Sequence, residues 1–373
     1  MKFVTIICRI LVGLLFILSG FIKANDPLGF SYKLDEYFVV FHTPWLSTIS
    51  LYLAIFICAV EIALGFATLV GAKMRFVSWS LLLMILFFSF LTFYSAWFDV
   101  VKDCGCFGDA LHLKPWQSFM KDVILLVLII PIFIKRKEIQ PLFSEKSATG
   151  LAWLGLFLST AFSVYCYRHL PIIDFRPFAI GKNILEGTKV PEGAPKDEYK
   201  TMLYYEKDGL VKEFTQDNYP WQDSTWKWKD SKSVLVKEGV KPAIHDFNLV
   251  NSDGSNYTED ILNNPDFNFM LISYDVTKAD KDVQKKINAL SAACDKEKIK
   301  FIGVTATAPE ETDKFRHDVQ AAYDFYFCDA TALKTIIRSN PGLLLLKKGT
   351  VINIWHYNDF PDFNEVKMKY LRK

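Results

Sequence analysis

The chain has 373 residues, enough for two or three domains, and carries 43 Lys and Arg against 41 Asp and Glu. That near balance excludes a polyanion-binding surface, so no nucleic acid is expected as a partner. Seven cysteines spread thinly over this length do not form the dense framework of a small secreted scaffold. Apolar residues crowd the stretch before about Tyr167, while Asp, Lys and Asn crowd the stretch after it, so the two parts belong in different solvents.

Five segments approach the ~20 mostly apolar residues that a membrane-spanning helix needs. They run Phe3 to Ile22, Ile49 to Val70, Phe76 to Phe98, Gln117 to Ile134 and Leu151 to Tyr167. Lys121 and Asp122 interrupt the first turns of the fourth, where Lys121 is expected to snorkel to the interface. Ile22, Lys23 and Ala24 do not make a small-x-small cleavage site, so the first segment is expected to stay as a helix. Lys73 and Arg75 lie between spans two and three, and Lys135, Arg136, Lys137 and Lys146 between spans four and five. The bias of basic residues puts both loops in the cytoplasm, with the C-terminal part outside.

Two charges fall inside spans, Arg9 in the first and Glu61 in the second. Burying either alone costs several kcal/mol, so the two are expected to pair. At ~1.5 Å per residue, their depths from the cytoplasmic side come out at ~9 and ~12 Å, which is compatible. The pair reads either as a clamp between helices or as a polar site for a ligand headgroup or proton.

Between spans three and four the sequence reads Asp103-Cys104-Gly105-Cys106-Phe107-Gly108-Asp109, on the outer side by the same orientation. Paired thiols there meet oxidants, and a disulfide between residues two apart would be strained and readily reduced, the catalytic or regulatory kind. Gly105 supplies the backbone freedom such a ring needs. Lys102 flanks the pair and Lys23 lies on the same side, either of which would stabilise a thiolate, whereas Asp103 and Asp109 oppose that effect. Thiol redox chemistry, a structural turn and metal binding remain open, metal being the poorest fit because only His112 lies nearby as a further ligand.

These residues resemble a family. RILVGLLFILSGFIK (Arg9 to Lys23), NDPLGF, VEIALG around Glu61, and DCGCFGD before PWQSFMKD are similar to the DoxX/MauE superfamily of small membrane proteins over roughly the first 140 residues. The likeness is greatest to a branch from Bacteroidetes that appends a fifth span and an extracytoplasmic domain, and HLPIIDFRPFAIGKNI (His169 to Ile184) looks like that branch's junction. The resemblance implies a four-helix bundle plus a fifth span. It also implies envelope redox chemistry, since members are linked to disulfide formation for methylamine dehydrogenase and to thiosulfate-to-quinone electron transfer. Cys104 and Cys106 are then the reacting pair, a membrane quinone is the cofactor implied, and Arg9, Glu61 and Lys23 are the candidates to hold it.

Past the fifth span, Pro171 and Pro177 mark an extended tether. Alternation from about Tyr199 to Thr215 around Lys207-Asp208-Gly209 reads as a β-hairpin. Trp221, Trp226 and Trp228 then read as a small satellite core in preference to a binding face. From about Pro242 strands and helices alternate: strand Phe267 to Tyr274, helix Lys278 to Lys296, strand Lys300 to Thr305 and helix Pro309 to Ala322. Strand Phe325 to Cys328, helix Thr331 to Arg338 and a final hairpin turned at Lys348-Gly349 follow. That order implies a mixed sheet covered by helices. With DFNLVNSDGS (Asp246 to Ser255) in front and Asn340-Pro341-Gly342 before the hairpin, residues 242–373 resemble a peroxiredoxin or TlpA-type thioredoxin fold. Such folds open the helix after the first core strand with Cys-x-x-Cys; here Tyr274 to Ala279 holds no cysteine, and Cys294 and Cys328 fall at core positions.

The expectation is a membrane helical bundle over 1–140, a fifth span and tether over 141–180, a small β-rich segment over 181–241, and a thioredoxin-like α/β domain over 242–373. The protein is expected in a bacterial inner membrane with its C-terminal domain periplasmic, performing thiol-disulfide or quinone-linked redox chemistry at Cys-Gly-Cys. An envelope protein partner is expected at the edge beside Pro341. The alternative is a non-catalytic assembly or docking factor. No nucleotide-binding glycine loop or metal-spacing motif is present.

Overall fold

The computed structural model describes residues 2–101, 105, 107–111, 113–190, 193–195, 197–237 and 239–371. Its N-terminal part is built from α1 (Lys2–Asn25), α2 (Pro27–Val40), α3 (Ser50–Val70), α4 (Met74–Phe98), α5 (Pro115–Ile134) and α6 (Glu145–His169). All of these but α2 are long and apolar enough to cross a membrane. Phe56, Phe87, Val127 and Phe157 stand exposed on four different helices, a surface that a bilayer covers and water would not. The chain is a membrane protein.

Helices α1 and α3 pack antiparallel with their backbones close, because small residues line the seam. A Cβ at Gly65 would stand 2.7 Å from the Gly13 carbonyl oxygen, and one at Gly20 would stand 3.1 Å from the Ile62 amide nitrogen. Val12, Phe16, Leu64, Leu81, Ile129 and Ile132 fill the space between α1, α3, α4 and α5.

Helix α2 was not among the expected elements. Asp26 accepts from the Gly29 amide at 2.8 Å and Pro27 occupies the first turn, an N-terminus that needs no unsatisfied donor. Phe30 and Leu34 bury against Ala54, Cys58 and Ile62, so α2 lies across the end of the bundle that holds Lys23.

After α6 and the short α7 (Ile184–Gly187), β1 (Glu198–Lys207), β2 (Leu210–Thr215) and β3 (Lys227–Lys237) form an antiparallel sheet in the order β2-β1-β3, the first two turning at Asp208-Gly209 as expected. Trp226 meets Phe214 edge-on at 5.2 Å, and Tyr205 joins them. The satellite core stops there. Trp221 and Trp228 are exposed, and β3 is exposed along its whole length, so two of the three tryptophans have no layer to cover them.

The second sheet has the order β6-β5-β4-β7-β8. Its elements are α8 (Thr258–Leu262), β4 (Phe267–Ile272), α9 (Gln284–Lys296), β5 (Lys300–Thr305), α10 (Pro309–Val319), β6 (Asp324–Phe327), α11 (Ala330–Ile336), β7 (Gly342–Lys347) and β8 (Thr350–His356). The first three strands pair parallel, β7 and β8 antiparallel. Met270 and Ile272 face one apolar layer, Phe269 and Leu271 the other, as the period-2 alternation of a strand requires. Helix α9 starts later than expected because Asp280 accepts from the Asp282 amide, a local turn that competes with helix. Cys294 and Cys328 are core residues.

Candidate functional site

Cys104 and Cys106 lie outside the described residues, as do Lys102, Asp103 and His112. What surrounds them in sequence is described. Gly105 has φ +70° and Gly108 φ +49°, conformations that side chains with a Cβ rarely adopt. The Gly108 and Ala110 amides donate back to Gly105 and Phe107, so the hairpin turns twice within a few residues.

Beneath this hairpin the bundle holds four ionisable side chains in two pairs, three of them buried and Lys121 partly exposed. Lys23 and Glu61 form an ion pair, each almost fully removed from solvent. Lys121 pairs with Asp122 at 2.9 Å, and Asp122 accepts from Thr92 at 2.9 Å. The expected partnership of Arg9 with Glu61 is therefore corrected. Arg9 donates to the carbonyls of Thr68 and Leu69, at 3.1 and 2.9 Å. These belong to the last turn of α3, whose carbonyls have no helical partner, and a guanidinium satisfies them as well as it would a carboxylate. Arg9 thus sits at the opposite end of α1 from Lys23, and only Lys23 and Glu61 of the three candidate binding residues come together.

Both ion pairs line a narrow cavity of about 40 Å³, bounded by Phe16, Phe88 and Phe107. That is room for about three water molecules. Phe107, next in sequence to Cys106, also lies under the Lys121 ammonium at 5.3 Å. On the outer surface of α1 and α5 an apolar groove of about 480 Å³ shares Leu15, Lys121 and Leu125 with the cavity and runs past Trp116, Met120 and Ile124. Sequence reasoning treated Lys121 and Asp122 only as flaws in a span. The signal for them was available: an ionisable pair in an apolar helix is a site by default.

The α/β part stands on the same end of the bundle. Asn25 exchanges two hydrogen bonds with the Ile173 backbone, and His169 at the end of α6 pairs with Asp359 at 2.8 Å. The segment after β4, where the sequence lacks cysteine, meets α2: the Tyr32 and Tyr274 hydroxyls are 3.4 Å apart, and burial pushes both phenols above their ordinary range. The turn before β7 contains a cis Asn340-Pro341 peptide bond. Burial pushes the Cys294 thiol up to about 12 and the Cys328 thiol up to about 11, so neither is a nucleophile at neutral pH. Among the described residues no group of three or more His, Cys, Asp and Glu is placed to hold a metal ion.

Residues 1–135 match the family of methylamine utilisation protein MauE. That stretch ends with α5, so it covers the two ion pairs, the cavity and the hairpin. Residues 199–238, the three-stranded sheet, match a domain of unknown function, DUF8463. Protein TlpB of Flavobacterium psychrophilum is 27% identical over 203 residues, an alignment that takes in 48% of this chain and 49% of that protein. The chain thus spans about half the length of this curated relative.

Proposed function

We propose that the bundle is a thiol redox device in which Cys104 and Cys106 exchange electrons with a membrane quinone. The observation that carries this reading is Phe107: it follows Cys106, closes the cavity and lies under the Lys121 ammonium. The groove suits a carbonyl-bearing ring on an apolar tail, since its walls are Leu15, Met120, Ile124 and Leu125 and its polar end is Lys121. A quinone held there would supply an acceptor for two electrons and two protons, so that the dithiol would become a disulfide as the quinone became quinol. The chain's own residues would orient and neutralise it: Lys121 would donate toward a carbonyl oxygen, while Asp122 holds Lys121 and Glu61 holds Lys23 within the same cavity. The likeness to MauE over 1–135 supports a thiol-disulfide role for this part.

Orientation follows the same reading. Arg9, Lys73, Arg75, Lys135 and Arg136 gather at the end of the bundle away from the hairpin, which supports a cytoplasmic location for that end and a periplasmic one for the α/β part, in a bacterial inner membrane. The strand order β6-β5-β4-β7-β8, with β6, β5 and β4 parallel on one side and β4, β7 and β8 antiparallel on the other, supports a thioredoxin-like fold for residues 242–373. That domain recruits or positions and does no thiol chemistry of its own, because Tyr274 to Ala279 has no cysteine.

Membranes carrying the wild-type chain and the Cys104→Ser and Cys106→Ser variants test the proposal by thiol trapping under controlled quinone supply. The pair should become oxidised when oxidised quinone is added and reduced when quinol accumulates. Thiols that hold one state throughout leave a non-catalytic docking factor.

A further inference from the structure

We infer that the loop end of the α/β part has this chain's own Cys-Gly-Cys hairpin as its partner, with Arg338 as the positioning residue that ties the two together. Arg338 follows α11 and leads into the Asn340-Pro341 turn, yet it is buried against the bundle with only 6% of its surface exposed. Its Nε donates to both carboxylate oxygens of Asp26, at 3.0 and 2.8 Å, and its Nη2 donates to Asp109 at 2.9 Å. The remaining nitrogen donates to the Lys334 carbonyl. One planar fork therefore joins the α/β part, the first residue of the α2 cap and the hairpin three residues past Cys106. A lysine has no such reach to two acceptors at fixed angles.

The surrounding residues fit around this contact. A Cβ at Gly29 would stand 2.8 Å from Arg338 Nη2, so the glycine leaves α2 open to the guanidinium. A Cβ at Gly105 would stand 2.9 Å from Lys33 Cγ, so α2 also lies against the hairpin itself. Tyr32 of α2 lies under the guanidinium at 5.7 Å and reaches Tyr274 beyond it. A buried guanidinium costs heavily unless paired, and both carboxylates that pair this one come from the membrane part. The edge beside Pro341, expected to recruit a separate envelope protein, is thereby engaged within the chain.

The inference deepens the redox reading of the hairpin and rests on it, but its test reads the contact without turnover. Full-length protein in lipid nanodiscs is reduced with a phosphine and labelled with N-ethylmaleimide, and each cysteine is followed by peptide mass spectrometry. Cys8, Cys58, Cys166, Cys294 and Cys328 are buried and report on the fold as a whole. Arg338→Gln should raise the labelling rate of Cys104 and Cys106 roughly tenfold, the scale set by losing hydrogen bonds between charged groups. Asp109→Asn, a change on the half-buried hairpin that leaves the α/β part intact, should do much the same. The double variant should add nothing further, and Arg338→Lys should fall between wild type and Arg338→Gln. The inference is overturned by unchanged hairpin labelling, by effects that multiply in the double variant, by a lysine no better than glutamine, or by parallel labelling of the five buried cysteines. Should labelling behave as expected while the cysteines never cycle with quinone, the redox reading fails and the contact stands.

Discussion

Lys23 near the end of α1 and Glu61 in the middle of α3 neutralise each other inside the bundle, and their side chains are 3% and 7% exposed. The register of the α1–α3 seam brings them together. Gly20 lies against Ile62, so a lysine one turn further along α1 reaches back to Glu61.

Glu61→Gln leaves the Lys23 ammonium buried without its countercharge, which costs about 3–5 kcal/mol. The apolar double replacement Lys23→Met with Glu61→Leu should recover most of that stability, as buried pairs replaced together often do. If the pair serves the cavity, the recovered variant still loses quinone-linked oxidation of the hairpin thiols. Thermal unfolding in detergent and the thiol-trapping assay, run on the same preparations, separate the clamp from the site. Retained redox cycling in the double variant would falsify a role beyond clamping.

Arg9 has a different fate. Its guanidinium serves two carbonyls at the end of α3, so Arg9→Gln should cost about 1–2 kcal/mol of stability and leave the redox response of the hairpin unchanged. A variant that stays folded but no longer cycles would restore Arg9 to the site.

The spans and the strands of the α/β part were legible because long apolar runs and short alternating ones have few other outcomes. Helix α2 was missed although Asp26-Pro27 is an N-cap followed by a proline at the first position. The stretch from Pro27 to Val40 is too short and too polar to register as a span. The Arg9–Glu61 pairing failed for another reason. Depth along a helix cannot tell which face two residues share or how closely the axes approach, and the unpartnered carbonyls of α3 were not counted as acceptors for Arg9. Lys23, Glu61 and the hairpin were found as separate signals. Arg338 carried no signal at all, since its partners Asp26 and Asp109 lie hundreds of residues away and only folding makes them neighbours.

The thiols of the α/β part should be silent. With Cys294 held near 12 and Cys328 near 11 by burial, the thiolate fraction at pH 7.5 is negligible. Native protein treated with maleimide should show no modification of either within the time that labels a free surface thiol, and unfolding in guanidinium should make both react. Rapid native labelling of Cys328 would indicate that the turn around Asp246, whose carbonyl it approaches, opens in solution.

Gly65 sets the spacing on which the Lys23–Glu61 contact depends. A side chain there meets the Gly13 carbonyl and the Ile17 backbone, neither of which yields without parting α1 from α3. Gly65→Val should therefore destabilise the bundle by about 1–3 kcal/mol, the usual cost of overpacking, whereas Gly150→Val, where a Cβ meets nothing within 4 Å, should be tolerated. Comparison of detergent melting curves for the two variants checks this, and equal losses would mean that the seam is not what limits stability.

The last expectation concerns acid. His356 at the end of β8 is 2% exposed, and burial pushes its imidazole down to about 4 against an opposing pull from Asp359. It is neutral in the fold, where its Nδ1 accepts from the Asn358 amide at 3.2 Å. In the unfolded chain the ring takes up a proton near its ordinary value of 6.5. Between those two values the unfolded state binds the extra proton, so stability falls as pH drops from about 6.5 toward 4 and is insensitive to this group above that window. Amide exchange of β7 and β8, corrected for intrinsic rates, should show protection declining through that range. His356→Gln keeps a polar group but removes the titration, and its decline should be shallower. An identical pH profile in the variant would assign the acid sensitivity of this sheet to the carboxylates around it.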